Sequence, residues 1–230
     1  MKKQNPPVTP TPILRVLQSK DETKGFYNKI ARFYDLMAER SEGPICRVGL
    51  RMLAAKEGER VLEIGFGTGH ALEELARAVG PAGKVYGMDL SDQMVKIARG
   101  RLSKTNLGKR CQLTSGDAAK LPYADESMDA VFMSFTLELF DTPEIPTVLA
   151  ECKRVLKPGG RIGVVGMSKD GPDEPLIEVF QWTHKHFPNY LDCRPIYVKQ
   201  AIERAGFEIQ KTLRKHMWIP VEIVLGTKGG

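Results

Sequence analysis

Residues 61–70, Val-Leu-Glu-Ile-Gly-Phe-Gly-Thr-Gly-His, constrain this chain more than any other stretch. An apolar run of strand character enters a turn in which every second residue is glycine, and a helical pattern begins at His70. Glycine reaches positive φ without a steric penalty and carries no Cβ, so a ligand can lie against the backbone. The first turn of the following helix offers N–H groups that have no intrahelical partner. The spacing narrows the ligand. A dinucleotide fingerprint, G-x-G-x-x-G, puts its third glycine at position 70, where this chain has His70. The G-x-G-x-G found here, with Glu63 two residues before the first glycine, favours a different one.

From Arg60 onward strand and helix signals alternate, which predicts a mostly parallel sheet with helices on both faces. Strands are expected over 60–65, 84–89, 110–115, 128–134 and 160–167, and helices over 70–79, 91–103 and 143–156. Further helices are expected over 174–187 and 195–205, the first in an irregular stretch that can serve as a lid. Strands 207–214 and 217–226 lie so close in sequence that they should form an antiparallel hairpin. Upstream, residues 1–12 carry four prolines and are expected to be a flexible tail. Residues 13–230 are expected to form one domain. A helical pattern over Ile13–Glu39 places Phe26, Ile30, Phe33, Tyr34 and Met37 at three- and four-residue spacing. Ser41-Glu42-Gly43-Pro44 interrupts it before a second helix over Ile45–Ala55.

Two acidic residues extend the signal from the glycine turn. Asp89 stands 20 residues after Gly69, at the predicted carboxyl end of the second strand, where a carboxylate can accept from both hydroxyls of a ribose. Its competing role is a helix N-cap, for which Ser91 or Asp92 is better placed. Asp117 follows the third strand in Ser115-Gly116-Asp117-Ala118, where its carboxylate and the Ala118 N–H can frame an adenine. Glycine turn, Asp89 and Asp117 sit at three consecutive strand ends, the crevice where open α/β sheets bind ligands.

With these motifs the chain resembles the class I S-adenosylmethionine-dependent methyltransferases over about residues 26–226. It is most similar in pattern to the ubiquinone/menaquinone C-methyltransferase-like and phospholipid N-methyltransferase-like group. Besides 62–69, the resemblance is carried by Gly87-Met88-Asp89-Leu90-Ser91, Gly116-Asp117-Ala118 with Leu121-Pro122, Asp129-Ala130-Val131 and Leu156-Lys157-Pro158-Gly159-Gly160-Arg161. It implies a Rossmann-like seven-stranded sheet in the order 3-2-1-4-5-7-6, with S-adenosyl-L-methionine as cofactor. By the same resemblance, Glu63, Gly65, Gly67 and Gly69 hold the methionine end and Asp89 the ribose. Leu90 and Met94 pack near the adenosyl group, Asp117 and Ala118 frame adenine, and Ser134 lies near the methionine moiety. Tyr27 and Tyr34 match aromatic positions that close over the cofactor, so the helices of 13–55 are expected to form a cover. Lys157-Pro158-Gly159-Gly160 is expected to be a structural turn.

For an acceptor that must lose a proton, the candidate bases are Glu138, His70, His184 and His186, of which Glu138 and His70 are the expected catalytic residues. The apolar stretch 175–188 and Met217-Trp218 point to a hydrophobic small molecule, quinone-type or lipid-like. No basic stripe or appended binding domain marks a nucleic-acid substrate. The net charge of +6 is scattered along the chain, the pattern of an ordinary solvated surface, and leaves peripheral contact with an anionic membrane open. Cys46, Cys111, Cys152 and Cys193 form no C-x-x-C pair and the histidines show no ligand spacing, so neither disulfide nor metal is expected. With no apolar run of about 18 residues and no apolar signal segment, the expected location is cytoplasmic. Two other functions remain open: an NAD-dependent oxidoreductase, opposed by the glycine spacing and the lack of Tyr-x-x-x-Lys, and a cofactor-binding partner subunit without catalysis.

Overall fold

The computed structural model describes residues 13, 15, 16, 18–170 and 194–230, with the backbone alone over 30–39. Helices α1 (Lys20–Ser41) and α2 (Gly43–Leu53) precede strand β1 (Arg60–Ile64). Then follow α3 (His70–Ala78), β2 (Lys84–Asp89), α4 (Asp92–Lys104), β3 (Cys111–Ser115) and β4 (Met128–Ser134). The described chain continues through α5 (Ile145–Val155), β5 (Leu156–Met167), α6 (Val198–Arg204), β6 (Phe207–His216) and β7 (Pro220–Lys228). The seven strands form one sheet in the order β3-β2-β1-β4-β5-β7-β6, as expected. Pairings from β3 to β5 are parallel, while β7 runs antiparallel to both β5 and β6.

Alternation along the strands builds a core on each face of the sheet. Val61, Val85, Ala130, Phe132 and Val165 face one side, against Leu53 of α2, Leu72 and Leu75 of α3, and Ala98 and Leu102 of α4. Leu62, Met88, Val131, Met133 and Val164 face the other, against Val148, Leu149 and Val155 of α5 and Val198 and Ile202 of α6. Burial on both faces explains why these strands read as nearly continuous apolar runs.

Two elements depart from the expected outline. Helix α1 starts at Lys20, not near Ile13, because Ser19 and Glu22 make a capping box. The Glu22 N–H donates to Ser19 Oγ at 3.3 Å, and the Ser19 N–H and hydroxyl both donate to Glu22 Oε2 at 2.8 Å. The turn at 157–160 is an irregularity inside β5: the register with β4 jumps from Met128↔Leu156 to Ala130↔Arg161. Gly159 there has φ +72°. The expected tail (1–12) and the helix of 174–187, with His184, His186 and Cys193, lie outside the described residues. Among the described residues no helix is long and apolar enough to cross a membrane, and no cluster of metal-binding side chains occurs.

Candidate functional site

The carboxyl ends of β1, β2, β3 and β4 surround a cavity of about 210 Å³, roofed by the start of α1 and flanked by α2. Its wall contains Tyr27, Glu63, Gly65, Gly67, His70, Asp89, Leu90, Met94, Asp117, Ala118 and Ser134. These residues span more than a hundred positions in sequence, and the parallel register brings them together. Glu63 pairs with Gly87, Asp89 with Ser115, and Ser134 with Val165. Gly69 and Glu138 do not line the cavity, and the Tyr34 side chain lies outside the described set.

The three glycines of the turn all have positive φ, +68°, +52° and +89°, but they serve different ends. A Cβ on Gly65 would meet the Thr136 side chain at 2.3 Å, and one on Gly69 would meet Ala98 Cβ at 2.8 Å. Those two glycines therefore allow the turn to pack against the loop after β4 and against α4. A Cβ on Gly67 would meet no protein atom within 4 Å. At this position in the cavity wall the missing side chain leaves space for a ligand.

Asp89 ties the turn to the second strand. Its Oδ2 accepts from the Gly67 N–H at 2.9 Å and its Oδ1 from the Ser91 N–H at 2.9 Å. Burial pushes its carboxyl up to about 6, against the opposing pull of those two N–H groups. Ser91 caps α4, accepting from the Met94 N–H at 3.1 Å, and so leaves Asp89 free of the capping role. Glu63 is 2% exposed, and its Oε2 has no hydrogen-bond partner. Burial, then the nearby Asp89 charge, pushes its carboxyl up to about 8. A buried oxygen without a partner is costly unless a ligand supplies the donor.

Charge in the cavity is one-sided. Glu42, Glu74, Asp89, Asp117, Asp141 and Glu144 line it, with Glu63 held protonated by burial, against Lys20 and Arg47 as permanent cations, a balance that suits a ligand with cationic groups. Cys46 of α2 also faces in and bonds to Ser134; burial pushes its thiol up to about 12, so it is no thiolate nucleophile at neutral pH. Phe135 holds φ +50°, a strained setting for a bulky residue, with its N–H donating to Val165 O at 2.8 Å.

Glu138 turns away from the cavity. It is fully buried, its Oε1 accepts from the Met167 N–H at 2.9 Å, and its Oε2 has no partner. Burial pushes its carboxyl up to about 8. Buried Arg194 donates to the backbone carbonyls of Glu138 and Phe140 and fixes this loop from behind.

Lys20, Cys46, Glu74 and Asp141 also line the cavity, and none of them is predicted from the sequence to do so. Cys46 and Glu74 precede or follow the glycine turn on helices with no motif of their own. Lys20 had a signal in the Ser19-x-x-Glu22 box, which places it in the first turn of α1.

A partnerless buried carboxylate, a glycine with open space and a second carboxylate at the adjoining strand end fit S-adenosylmethionine, with its ammonium, close-packed chain and ribose. A methyltransferase-domain family model matches residues 61–160. The 2-phytyl-1,4-naphtoquinone methyltransferase of Synechococcus elongatus is 34% identical over 165 residues, covering 70% of this chain and 69% of that enzyme. The chain belongs to the class I S-adenosylmethionine-dependent methyltransferase family. The demethylmenaquinone methyltransferase of Lactobacillus johnsonii is 38% identical over 141 residues, or 61% of this chain. That match spans 56% of the relative's own length. Among solved structures, a SAM-dependent methyltransferase from Aquifex aeolicus is 25% identical with a TM-score of 0.65. It covers 87% of this chain and 97% of its own.

Proposed function

We propose that this methyltransferase moves the methyl group of S-adenosylmethionine onto a small hydrophobic acceptor of quinone or lipid type. The observation that carries the cofactor half is Glu63, a buried carboxylate with a partnerless oxygen in the wall of the strand-end cavity. In this proposal Glu63 receives the α-amino group, and Gly67 lets the methionine chain lie on the backbone beside Ser134. Asp89 accepts from the ribose hydroxyls with its remaining lone pairs, Leu90 and Met94 pack against the adenosyl group, and Asp117 and Ala118 frame adenine. Gly65 and Gly69 act indirectly, by letting the turn pack. When bound, the cofactor supplies a methyl group already activated on a sulfonium. The protein's part is alignment and exclusion of water, with Tyr27 contributing about 0.5–2 kcal/mol if its ring faces the positive charge.

The acceptor half rests on the apolar wall formed by Val16, Leu50, Phe135, Leu139 and Phe140, and on relatives named for quinone substrates. Of the two candidate bases, His70 lines the cavity and is assigned the acceptor's proton; Glu138 is assigned to loop structure. An acceptor with a long apolar tail would be met at a membrane surface, which vesicle co-sedimentation can test. Calorimetric titration should show S-adenosylhomocysteine binding at one site and no heat from NAD. Binding of NAD instead would return the oxidoreductase. Cofactor binding with no turnover across a panel of demethylated quinols and lipids would favour a non-catalytic subunit.

A further inference from the structure

Helix α1 is fastened across the cavity mouth by a row of charged contacts. Lys20, Thr23 and Tyr27 share one helical face and line the cavity. The neighbouring face reaches α4: Lys24 pairs with Asp92 at 2.7 Å, and Asn28 Oδ1 accepts from Ser91 Oγ at 2.6 Å and the Gln93 N–H at 3.1 Å. Just before the helix, Arg15 grips Asp141 in a fork of 2.6–2.9 Å, and the Val16 N–H adds a bond of 3.1 Å to the same carboxylate. Lys20 stands between these anchors. Its Nζ lies 2.5 Å from Asp117 Oδ2 and 2.7 Å from Glu144 Oε1. Asp117 follows β3 and Glu144 precedes α5, and two strands separate β3 from β4 in the sheet. The single ammonium thus joins loops from opposite sides of the crevice.

We propose that Lys20 is a cofactor-positioning residue that also bolts the site: it fixes the Asp117 carboxylate for the adenine edge and, through Glu144, slows cofactor release. The proposal rests on the assignment of Asp117 to adenine. Asp117 Oδ1 accepts from the Ala119 N–H at 2.9 Å and Oδ2 from Lys20, so the carboxylate is held at both oxygens. A carboxylate has about four acceptor sites, which leaves lone pairs for an exocyclic amine. Without Lys20 the Asp117 side chain is tethered at one oxygen only, and the loops before and after the crevice lose their common link. All three side chains are partly exposed, so the pairs add little to folding stability and are open to screening by salt.

Surface plasmon resonance on the immobilised full chain tests this, with S-adenosylhomocysteine as probe because its amino-acid end is a zwitterion without net charge. Lys20→Met should speed dissociation about tenfold, the scale of one lost charge-assisted contact, with association and the melting temperature close to wild type. Lys20→Arg should keep release slow. Glu144→Gln, which does not touch the adenine contact, should also speed release. Wild-type dissociation should quicken with added salt, and the Lys20→Met variant should respond less. S-inosylhomocysteine, which lacks the exocyclic amine, should bind wild type more weakly than the adenosyl compound, and Lys20→Met should narrow that gap. Unchanged dissociation in both Lys20→Met and Glu144→Gln overturns the bolt, as does faster association alone, which would make Lys20 an obstacle. Asp117→Asn separates the two ideas: if it binds like wild type and the inosyl analogue is not discriminated, the adenine assignment itself has failed.

Discussion

Asp89→Ala is the substitution for which affinity and stability should part most clearly. In the free protein the Asp89 carboxylate accepts one bond each from the Gly67 and Ser91 N–H groups. Its carboxyl is nonetheless pushed up to about 6 by burial. A pKa about two units above the ordinary range means the charged form is held at a cost of about 3 kcal/mol. That cost is what remains after the pull of the two N–H groups, so the free fold gains little from the charged carboxylate. A bound ribose would lose a charge-assisted partner worth roughly 1.5–3 kcal/mol, a fall in affinity of about ten- to a hundredfold. Titration calorimetry with S-adenosylhomocysteine, paired with thermal unfolding of the free variant, reads both quantities. Expected is a large rise in Kd with a small change in Tm. Unchanged affinity in the folded variant refutes the ribose assignment, and a loss of affinity that only follows a loss of folding refutes the cost argument.

Glu63, pushed up to about 8, holds its proton in the free protein below that pH and must release it to face an ammonium. Affinity for S-adenosylhomocysteine should therefore rise as pH goes from about 6 to about 8, by at most about fiftyfold, and Glu63→Gln should bind weakly with a flat profile. Glu138 also carries a raised pKa, so the folded state keeps a proton that the unfolded state loses above the usual carboxylate range. Its contribution to stability should fall as pH rises from about 4.5 to about 8; Glu138→Gln should remove that slope in thermal melts while retaining methyl transfer, and lost transfer in a stable variant would make it a catalytic group. Gly67→Val should abolish binding with a modest fall in Tm, whereas Gly69→Val, forced against Ala98, should cost about 1–3 kcal/mol of stability or more; equal Tm losses in the two would contradict the division of labour among the glycines. Cofactor should slow hydrogen exchange over residues 20–28 of α1, and removal of residues 1–40 should end methyl transfer with the sheet still folded.

The sheet was legible because its central strands β1, β2, β4 and β5 are largely buried on both faces and its glycine turn and acidic strand ends recur at fixed places in the α/β pattern. Strand limits at 84–89 and 128–134 match residue for residue. What the chain did not display was side-chain direction at its ends and in its loops. Glu138 follows β4 closely enough to suggest the cavity, but the Phe135 backbone at positive φ redirects the loop and Glu138 bonds to β5. Three glycines in one motif looked alike, and only the packed neighbours Thr136 and Ala98, 71 and 29 positions away in sequence, separate Gly67 from the other two. Lys20 was hidden for the same reason: its partners Asp117 and Glu144 lie far along the chain, and ion pairs at such separation leave no local pattern.

Methyl transfer to a small hydrophobic acceptor can be read by mass spectrometry of acceptors incubated with the purified protein and S-adenosylmethionine carrying a deuterated methyl group. Demethylated naphthoquinols and benzoquinols, kept reduced, are the first panel, with lipid amines the second. One of these should acquire the labelled methyl in a reaction that stops with Gly67→Val and yields S-adenosylhomocysteine in equal amount. Tight cofactor binding without label in any acceptor, or label transfer that persists in Gly67→Val, would contradict the proposed function.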